Sequence, residues 1–290
     1  MKAPRCCLLL ICLLALCACM PKQPQVPPPP PPPAEEEGPP DEAAAIWQSF
    51  SRRAATAEIM SGPFRISGAL RYTDPEGKSN RVSSLLWGNN QPDNPWPLRL
   101  DLTAGVGQVV AKAREGKSSF LAYIPDENTA YAHEGARRTL ASFGVPVPLA
   151  LSDLALLLTG RGGNLFLPEP RSGPGSKKDA AGAAEYPPER ELTARGARFT
   201  LADAPLPGIL ELSRQGAPLE WREKARDGWR MLFEPAEDNP LRPVKLRVSH
   251  NLGWEALITV KDIARVSPPY SGAQLDLPLP PGTEKLPLPQ

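Results

Sequence analysis

The chain has 290 residues, with 33 basic and 32 acidic side chains, 38 prolines, five cysteines and two histidines. Its formal net charge is +1, whereas nucleic-acid binding normally needs a basic excess or a basic patch. All five cysteines precede residue 20, so the rest of the chain contains no disulfide, zinc–cysteine cluster or thiol nucleophile. We therefore expect no metal, no cofactor and no nucleic-acid partner.

Residues 1–18 have the form of a lipoprotein signal peptide. Two basic residues precede an uncharged apolar run over 6–18, which at ~1.5 Å per residue is too short to span a hydrocarbon core of ~30 Å. The string LCAC at 16–19 resembles a bacterial lipobox. That resemblance implies cleavage before Cys19 and acylation of Cys19, which would anchor the protein stably. An ordinary secretory signal is the alternative.

Residues 19–42 are predicted to be the lipidated cysteine and a proline-rich tether. Seven consecutive prolines over 27–33 favour polyproline II, with ~3.1 Å rise per residue. About twenty such residues could hold a domain up to ~60 Å from a bilayer. We predict a folded domain over 43–266 with a mobile insertion at 161–188, and a proline-rich tail over 267–290.

The domain begins with a helix predicted over Asp41–Met60, for which Asp41 is the N-cap. From Gly62 the apolar period changes to two, which is typical of strands. Strands are predicted over 64–72, 81–88, 98–102, 109–114, 118–124, 129–133, 191–201, 209–214, 219–222, 229–233, 244–249 and 254–260. A short apolar helix over Leu154–Leu158, capped by Ser152 or Asp153 and ended by Gly160, separates the two groups of strands.

This pattern predicts one α+β domain of about eleven strands. An antiparallel sheet with one apolar face must be closed or covered. The strings TAGVG at 103–107 and GVPVPL at 144–149, and the style of 189–216, resemble the outer-membrane lipoprotein receptor family LolB. The resemblance spans roughly 45–265. The chain departs from it in the tether, the insertion and Val106, where the family typically carries a protruding Leu.

The LolB resemblance implies an unclosed antiparallel β-barrel with a helical lid, as in LolA and LolB, around an apolar cavity for acyl chains. It further implies acylated lipoprotein cargo, a periplasmic LolA-like carrier as donor, and a position on the periplasmic face of the bacterial outer membrane. We expect a monomer and no enzymatic activity. Alternating positions predict the cavity residues Phe64, Ile66, Leu70, Leu98, Leu100, Leu102, Val109, Phe120, Leu246, Trp254 and Ile258. Arg99, between two of them, is expected on the exposed face.

Val106 lies between Gly105 and Gly107 at a predicted turn. Glycines permit positive φ angles that push the intervening side chain outward, so these three residues are a candidate membrane-insertion loop. The alternative is an ordinary hairpin with a surface valine. At the level of the whole protein, two other hypotheses remain: an envelope sensor or assembly accessory of the same fold that acts through a protein partner, and a hydrolase using His250.

Overall fold

One sheet of fourteen strands is the frame of the protein. The computed structural model describes residues 41–56, 62–89, 97–135, 138–168, 189–225 and 228–288, which belong to one folded unit. Cys19, the predicted tether up to residue 40 and residues 169–188 of the predicted insertion lie outside the described residues. None of the helices in the described part of the chain combines the length and the apolarity needed to cross a bilayer.

The sheet is unclosed and almost entirely antiparallel. Its strands are β1 Phe64–Thr73, β2 Ser79–Gly88, β3 Leu98–Ala104, β4 Gln108–Glu115, β5 Ser119–Ile124, β6 Thr129–Glu134, β7 Arg190–Thr193, β8 Gly196–Leu201, β9 Gly208–Ser213, β10 Pro218–Arg222, β11 Trp229–Pro235, β12 Pro243–His250, β13 Glu255–Arg265 and β14 Glu284–Pro287. Their order across the sheet is β14-β6-β5-β4-β3-β2-β1-β13-β12-β11-β10-β9-β8-β7. Among the strands of the described residues, only β14 and β6 run parallel to each other. The prediction of about eleven strands is therefore wrong, because the described residues form fourteen.

Two features account for most of the difference. The predicted strand 191–201 is divided into β7 and β8 by a tight turn, in which the Thr193 hydroxyl accepts hydrogen bonds from the amides of Arg195 (3.3 Å) and Gly196 (3.1 Å). The predicted tail supplies β14, so the boundary at 266/267 does not separate the tail from the fold.

The first helix, α1 (Glu42–Thr56), begins where the sequence predicts. The Ala44 amide donates to the Asp41 carboxylate at 3.2 Å, which makes Asp41 the N-cap. Ala43, Ile46, Trp47 and Phe50 are buried, at the i, i+3, i+4, i+7 spacing of one helical face. This face packs on β7, β8 and β9.

Short helical segments cover the sheet between β6 and β7. They are the 3₁₀ turn Leu140–Phe143, the helix α2 Leu151–Leu156, a π-helical turn Leu157–Arg161 and the helix α3 Gly163–Phe166. The helix predicted over 154–158 thus begins three residues earlier. Asp153 accepts the Ala150 amide at 3.3 Å, as a first-turn residue does. Gly160 adopts a left-handed φ of 83°, which favours glycine, near the end of the π-helical turn.

The C-terminal segment lies on the outer face of the sheet and corrects one expectation. Arg99 points to the outer face, as its register predicts, but it is only 5% exposed. Its guanidinium donates to the Asp276 carbonyl and to Asp101 at 3.0 Å. Upstream, Asn89 and Tyr270 exchange two hydrogen bonds of 2.7 and 2.8 Å. The expectation of an exposed Arg99 was wrong because strand periodicity assigns a face, and says nothing of what covers that face.

Candidate functional site

An apolar cavity of about 360 Å³ lies on the inner face of β3–β6. Ligand pockets in proteins are usually about 300–1,000 Å³, so this one is large enough for a ligand and small within that range. Its lining residues are Leu100, Leu102, Ala111, Lys112, Ala113, Phe120, Ala122, Ile124, Tyr131, Leu140, Ser142, Phe143, Gly144, Val145 and Leu288. Among these, three carry polar side chains, so the wall suits a hydrocarbon ligand.

The cavity exists because the strands beneath it carry small side chains. Ala111, Ala113 and Ala122 line it from β4 and β5, and each offers a single methyl group to the interior. On the opposite side lies the loop that contains the 3₁₀ turn, in place of a long helix. Phe120 and Phe143 stack at 4.0 Å between ring centroids and link this loop to the sheet.

A second, smaller pocket adjoins the first. It has a volume of about 40 Å³ and extends over β1, β2 and β13 to α2 and the π-helical turn. Both spaces are lined by Leu100 and Leu102 from the sheet and by Leu140 and Val145 from the covering loop. The two spaces therefore meet at these four residues, of which Leu140 and Val145 belong to the covering loop.

Six of the eleven predicted cavity residues line one of these two pockets. They are Ile66, Leu70, Leu100, Leu102, Phe120 and Ile258. Phe64, Leu98 and Leu246 are fully buried in the hydrophobic core but line neither pocket. Val109 and Trp254 are only half-buried and line neither pocket, and Trp254 directly precedes β13.

A β-bulge explains the position of Val109. Leu102 pairs with Ala111, but Thr103 pairs with Val109, so Val110 is an extra residue on β4. A bulge interrupts the two-residue alternation of a strand. Val110, and not Val109, packs against the core, so placing Val109 in the cavity was wrong.

Sequence reasoning also missed several lining residues. The alanines of β4 and β5 give a weaker apolar signal than large residues do, although Ala111 and Ala113 already alternate in the sequence. Leu140, Val145 and Leu288 lie outside the regular strands that were used to predict the cavity. Their positions depend on tertiary folding and have no periodic signal.

The turn Gly105-Val106-Gly107 joins β3 to β4 at the end of the sheet nearest to Leu102 and Ala111 of the cavity. Gly105 and Gly107 have φ angles of 51° and 82°, in the region that favours glycine. The Val106 side chain between them is fully exposed. An exposed apolar tip thus lies within a few residues of the cavity wall.

A buried hydrogen-bonded pair holds the cover to the sheet. The carboxylate of Glu115, at the end of β4, accepts the Ser152 amide at 2.9 Å and the Ser152 hydroxyl at 2.7 Å. Both residues are buried. Since buried polar groups are costly when unpaired, this contact fixes the start of α2 over the sheet.

A cluster of charged side chains lies on β7–β11, away from the cavity. Burial opposes the ionisation of Glu211, but hydrogen bonds from Arg195 and Thr193 outweigh it and lower the pKa of the Glu211 carboxyl. Burial likewise opposes the ionisation of Glu220, and the guanidinium groups of Arg230 and Arg195 nevertheless lower its pKa. None of these residues lines the cavity, so we interpret the cluster as stabilising the sheet.

His250 does not stand out as a catalytic base. Its Nδ1 accepts the Leu252 amide at 3.1 Å, and its ring packs on Trp229 with 4.6 Å between centroids. Within the described residues there is also no group of three or more His, Cys, Asp or Glu side chains placed to hold a metal ion.

Comparisons with known proteins identify the fold and no closer relationship. No protein-family model matches the chain, and no curated protein matches it in sequence. Among solved structures it is similar to a DUF1329 family protein from Desulfovibrio piger, with a TM-score of 0.50, 12% identity, and coverage of 81% of this chain and 98% of that chain.

Two further structures are similar at a lower score. A LolA superfamily protein from Nitrosomonas europaea has a TM-score of 0.48 at 11% identity, covering 78% of this chain and 94% of that chain. A domain provisionally assigned to outer membrane lipoprotein sorting from Vibrio parahaemolyticus has a TM-score of 0.47 at 10% identity, covering 79% and 95%. The unclosed, mostly antiparallel sheet with few helices is the fold that this chain shares with the Desulfovibrio piger protein. Identities this low describe the fold alone.

Proposed function

We propose that this protein is an outer-membrane-anchored lipoprotein that binds acyl chains of other lipoproteins and helps insert them in the outer membrane. The observation that carries the proposal is the apolar cavity over β3–β6, which opens a space for hydrocarbon near the turn that presents Val106. The lipobox at Cys19 and the LolB resemblance of the sequence support the same function.

Binding in this cavity needs no covalent step. Each methylene removed from water contributes about 0.8 kcal/mol, so an acyl chain would bind firmly against Leu100, Leu102 and Phe120. Transfer from the cavity to a bilayer exchanges one apolar environment for another. The free-energy difference between the two environments is then small. A small difference suits a protein that passes its cargo on to the bilayer and does not retain it.

The cavity volume bears on the cargo. A space of about 360 Å³ lies near the lower limit of ligand pockets, about 300 Å³, while a bacterial lipoprotein carries several acyl chains. We infer that binding a complete lipoprotein anchor requires displacement of Leu140 and Val145, which would join the two pockets. A LolA-like periplasmic carrier would deliver the cargo to a single copy of this protein.

The central test measures binding of a labelled triacylated lipopeptide to the mature chain carrying Cys19→Ser, so that the protein's own lipid is absent. Leu100→Glu places a carboxyl group in the apolar wall, where it either ionises at high cost or stays neutral. We expect its binding to fall at least roughly tenfold, equivalent to about 1.4 kcal/mol.

The matched control is Ser83→Glu, because Ser83 is exposed on β2, the strand next to the cavity wall, and lines neither pocket. Thermal unfolding and circular dichroism would verify that both variants fold. Equal binding by the Leu100 variant and the control would refute the cavity assignment. Protein purified from membranes with an empty cavity would instead favour the sensor or assembly accessory.

Delivery is tested separately from binding. Val106→Glu leaves the cavity wall intact but puts a charge on the exposed tip, so lipopeptide uptake should persist while release into vesicles slows. Val106→Leu enlarges the apolar tip and should keep or raise the rate. Release by the Val106→Glu variant at the original rate would remove this turn from the mechanism.

The anchor has its own test. Cys19→Ser in the full chain should leave the domain folded and release it from the membrane fraction. A carbonate-washed pellet that retains the variant would show that Cys19 is not the anchor.

A further inference from the structure

Leu252 is an exposed apolar residue that the proposed cavity and the Val106 turn leave unexplained. It lies in the turn between β12 and β13 and is 66% exposed. Among the described residues the other exposed large apolar side chains are Val106 and Leu192, the latter 53% exposed on the edge strand β7. Single exposed apolar residues are common on protein surfaces, so exposure alone does not indicate a role for Leu252, and its position in the sheet has to be considered.

Strand register places Leu252 and Val106 at the same end of the sheet. Thr73 pairs with both Ser79 of β2 and Glu255 of β13, and Ser83 of β2 pairs with Thr103 of β3. Along one rim, the turn 74–78 therefore lies between the turns 105–107 and 251–254. Four strand spacings of about 4.8 Å put the two apolar tips roughly 20 Å apart along the curved sheet.

The Leu252 turn is held in a defined conformation. The Gly253 amide donates to the His250 carbonyl at 2.9 Å, and the Leu252 amide donates to His250 Nδ1 at 3.1 Å. Gly253 has a left-handed φ of 91°, and a Cβ there would lie 3.3 Å from Pro75 Cα of the neighbouring turn. The turn thus packs beside the turn 74–78 while Leu252 stays exposed.

Aromatic residues surround the base of this turn. Trp254 is half-buried two residues after Leu252, and half-buried Trp229 packs against His250 at 4.6 Å. Tryptophan is enriched at the headgroup level of membranes because its ring is apolar and its N–H is polar. An exposed leucine beyond two tryptophans matches the depth order of a membrane interface.

The charges between the two tips indicate the kind of surface that fits. At this rim the acidic and basic side chains are equal in number: Asp74, Glu76 and Glu255 against Arg71, Lys78 and Arg81. Segments that bind anionic lipid carry an excess of basic residues. Attraction to this rim would therefore come from apolar insertion. A zwitterionic bilayer surface satisfies that requirement, and the predicted tether from Cys19 would keep such a surface within ~60 Å.

We propose that the β12–β13 turn is a second membrane-contact point, with Leu252 inserted among the lipids and Trp229 and Trp254 at headgroup level. Together with Val106 it gives two contacts on one rim, which set the orientation of the sheet to the bilayer. This orientation would face the cavity toward the membrane, and that role rests on the proposed function. The contact itself requires no cargo.

The experiment uses the mature chain carrying Cys19→Ser, without lipopeptide, and phosphatidylcholine vesicles. Leu252→Glu should lower the vesicle-bound fraction in cosedimentation, with a partition coefficient reduced roughly tenfold. The matched control is Leu192→Glu, because Leu192 is similarly exposed but lies on β7, away from this rim. The control should bind as the parent does.

Fluorescence gives an independent readout. Vesicles with brominated acyl chains should quench tryptophan emission in the parent, and Trp254→Phe should remove a large part of that quenching. Unchanged vesicle binding by Leu252→Glu, equal loss in the Leu192 control, or binding that requires anionic lipid would each overturn the proposal.

Failure here and failure of the proposed function can be told apart. Leu252→Glu should bind lipopeptide as the parent does, because Leu252 lines neither pocket. If Leu252→Glu loses vesicle binding while Leu100→Glu binds lipopeptide normally, the membrane contact stands and the cavity assignment falls. The reverse pair of results would leave the cavity and remove the second contact.

Discussion

The two halves of the sheet use the same alternation of inward residues but reach opposite results. From β7 to β12 the inner face is filled: Trp47 of α1 contacts Phe199 with 5.0 Å between ring centroids, and Phe50 lies 6.5 Å from Phe166. From β3 to β6 the inner face borders a cavity of about 360 Å³. We refer to these regions as the packed half and the hollow half.

Side-chain volume and the type of cover produce the difference. In the packed half, a fifteen-residue helix presents large aromatic residues to the sheet. In the hollow half, alanines line the sheet and the loop around Leu140 and Val145 lies across it. Interiors normally pack to the density of organic crystals, so a persistent apolar space means that its volume serves a ligand or is tolerated at a cost.

The largest expected contrast comes from truncating a phenylalanine in each half. Phe199→Ala should lower the free energy of unfolding by about 3–5 kcal/mol, because the fully buried ring leaves a new void. Phe120→Ala should cost clearly less, since Phe120 already borders a cavity. Urea unfolding at constant slope measures both. Equal losses would mean that the hollow half is as tightly packed as the other.

Filling substitutions test the same contrast from the other direction. Ala197→Phe, at a fully buried position of β8, should destabilise the protein by about 3 kcal/mol or more, because overpacking forces neighbours to move. Ala122→Phe projects a ring into the cavity and should leave stability unchanged or raise it.

Ala122→Phe should also abolish lipopeptide binding, although it introduces no charge. Thermal unfolding and the lipopeptide assay together check this pair. If Ala122→Phe destabilises the protein as much as Ala197→Phe does, then the cavity is not available volume.

The predictability of the two halves differs for physical reasons. Strand periodicity located Leu100, Leu102 and Phe120, and the flanking glycines placed Val106 at a turn tip. Periodicity assigns each residue to a face and does not report whether the face is filled. A hollow therefore has no signature beyond small residues such as Ala111.

Non-local contacts account for the other errors. The burial of Arg99 depends on a segment 177 residues away in the chain, whose Asp276 carbonyl accepts a hydrogen bond from the Arg99 guanidinium. The position of Val109 depends on a bulge that neither β3 nor β4 shows in its own sequence. Both require knowledge of the neighbouring segment, which local sequence patterns do not contain.

The packed half should also make stability depend on acidic pH. The folded-state pKa values of Glu211 and Glu220 are lowered by their arginine partners. Their contribution is therefore complete above the ordinary glutamate pKa of about 4.3 and is lost as the pH falls through the lowered folded values. The free energy of unfolding should thus decrease as the pH falls below about 4.3.

Glu211→Gln should remove part of that dependence and cost about 1.5–3 kcal/mol at neutral pH, the usual value for hydrogen bonds to a charged group. Glu191→Gln is the control, since Glu191 is largely exposed and lies 3.8 Å from Arg198. Urea midpoints between pH 3 and pH 7 measure the effect. An unchanged pH dependence in Glu211→Gln would exclude this cluster as its source.

The smallest expected effect tests the bulge at the rim of the hollow half. Val110→Ala should lower the free energy of unfolding by about 1 kcal/mol, because Val110 packs against the core. Val109→Ala should change it by less than about 0.5 kcal/mol, as for surface positions. A regular strand would predict the reverse, because alternation from Ala111 and Ala113 puts Val109 inside. Urea unfolding of the two variants decides between a bulged and a regular strand. A larger loss of unfolding free energy in Val109→Ala than in Val110→Ala would place Val109 in the cavity wall. It would also shift the register of the turn that carries Val106.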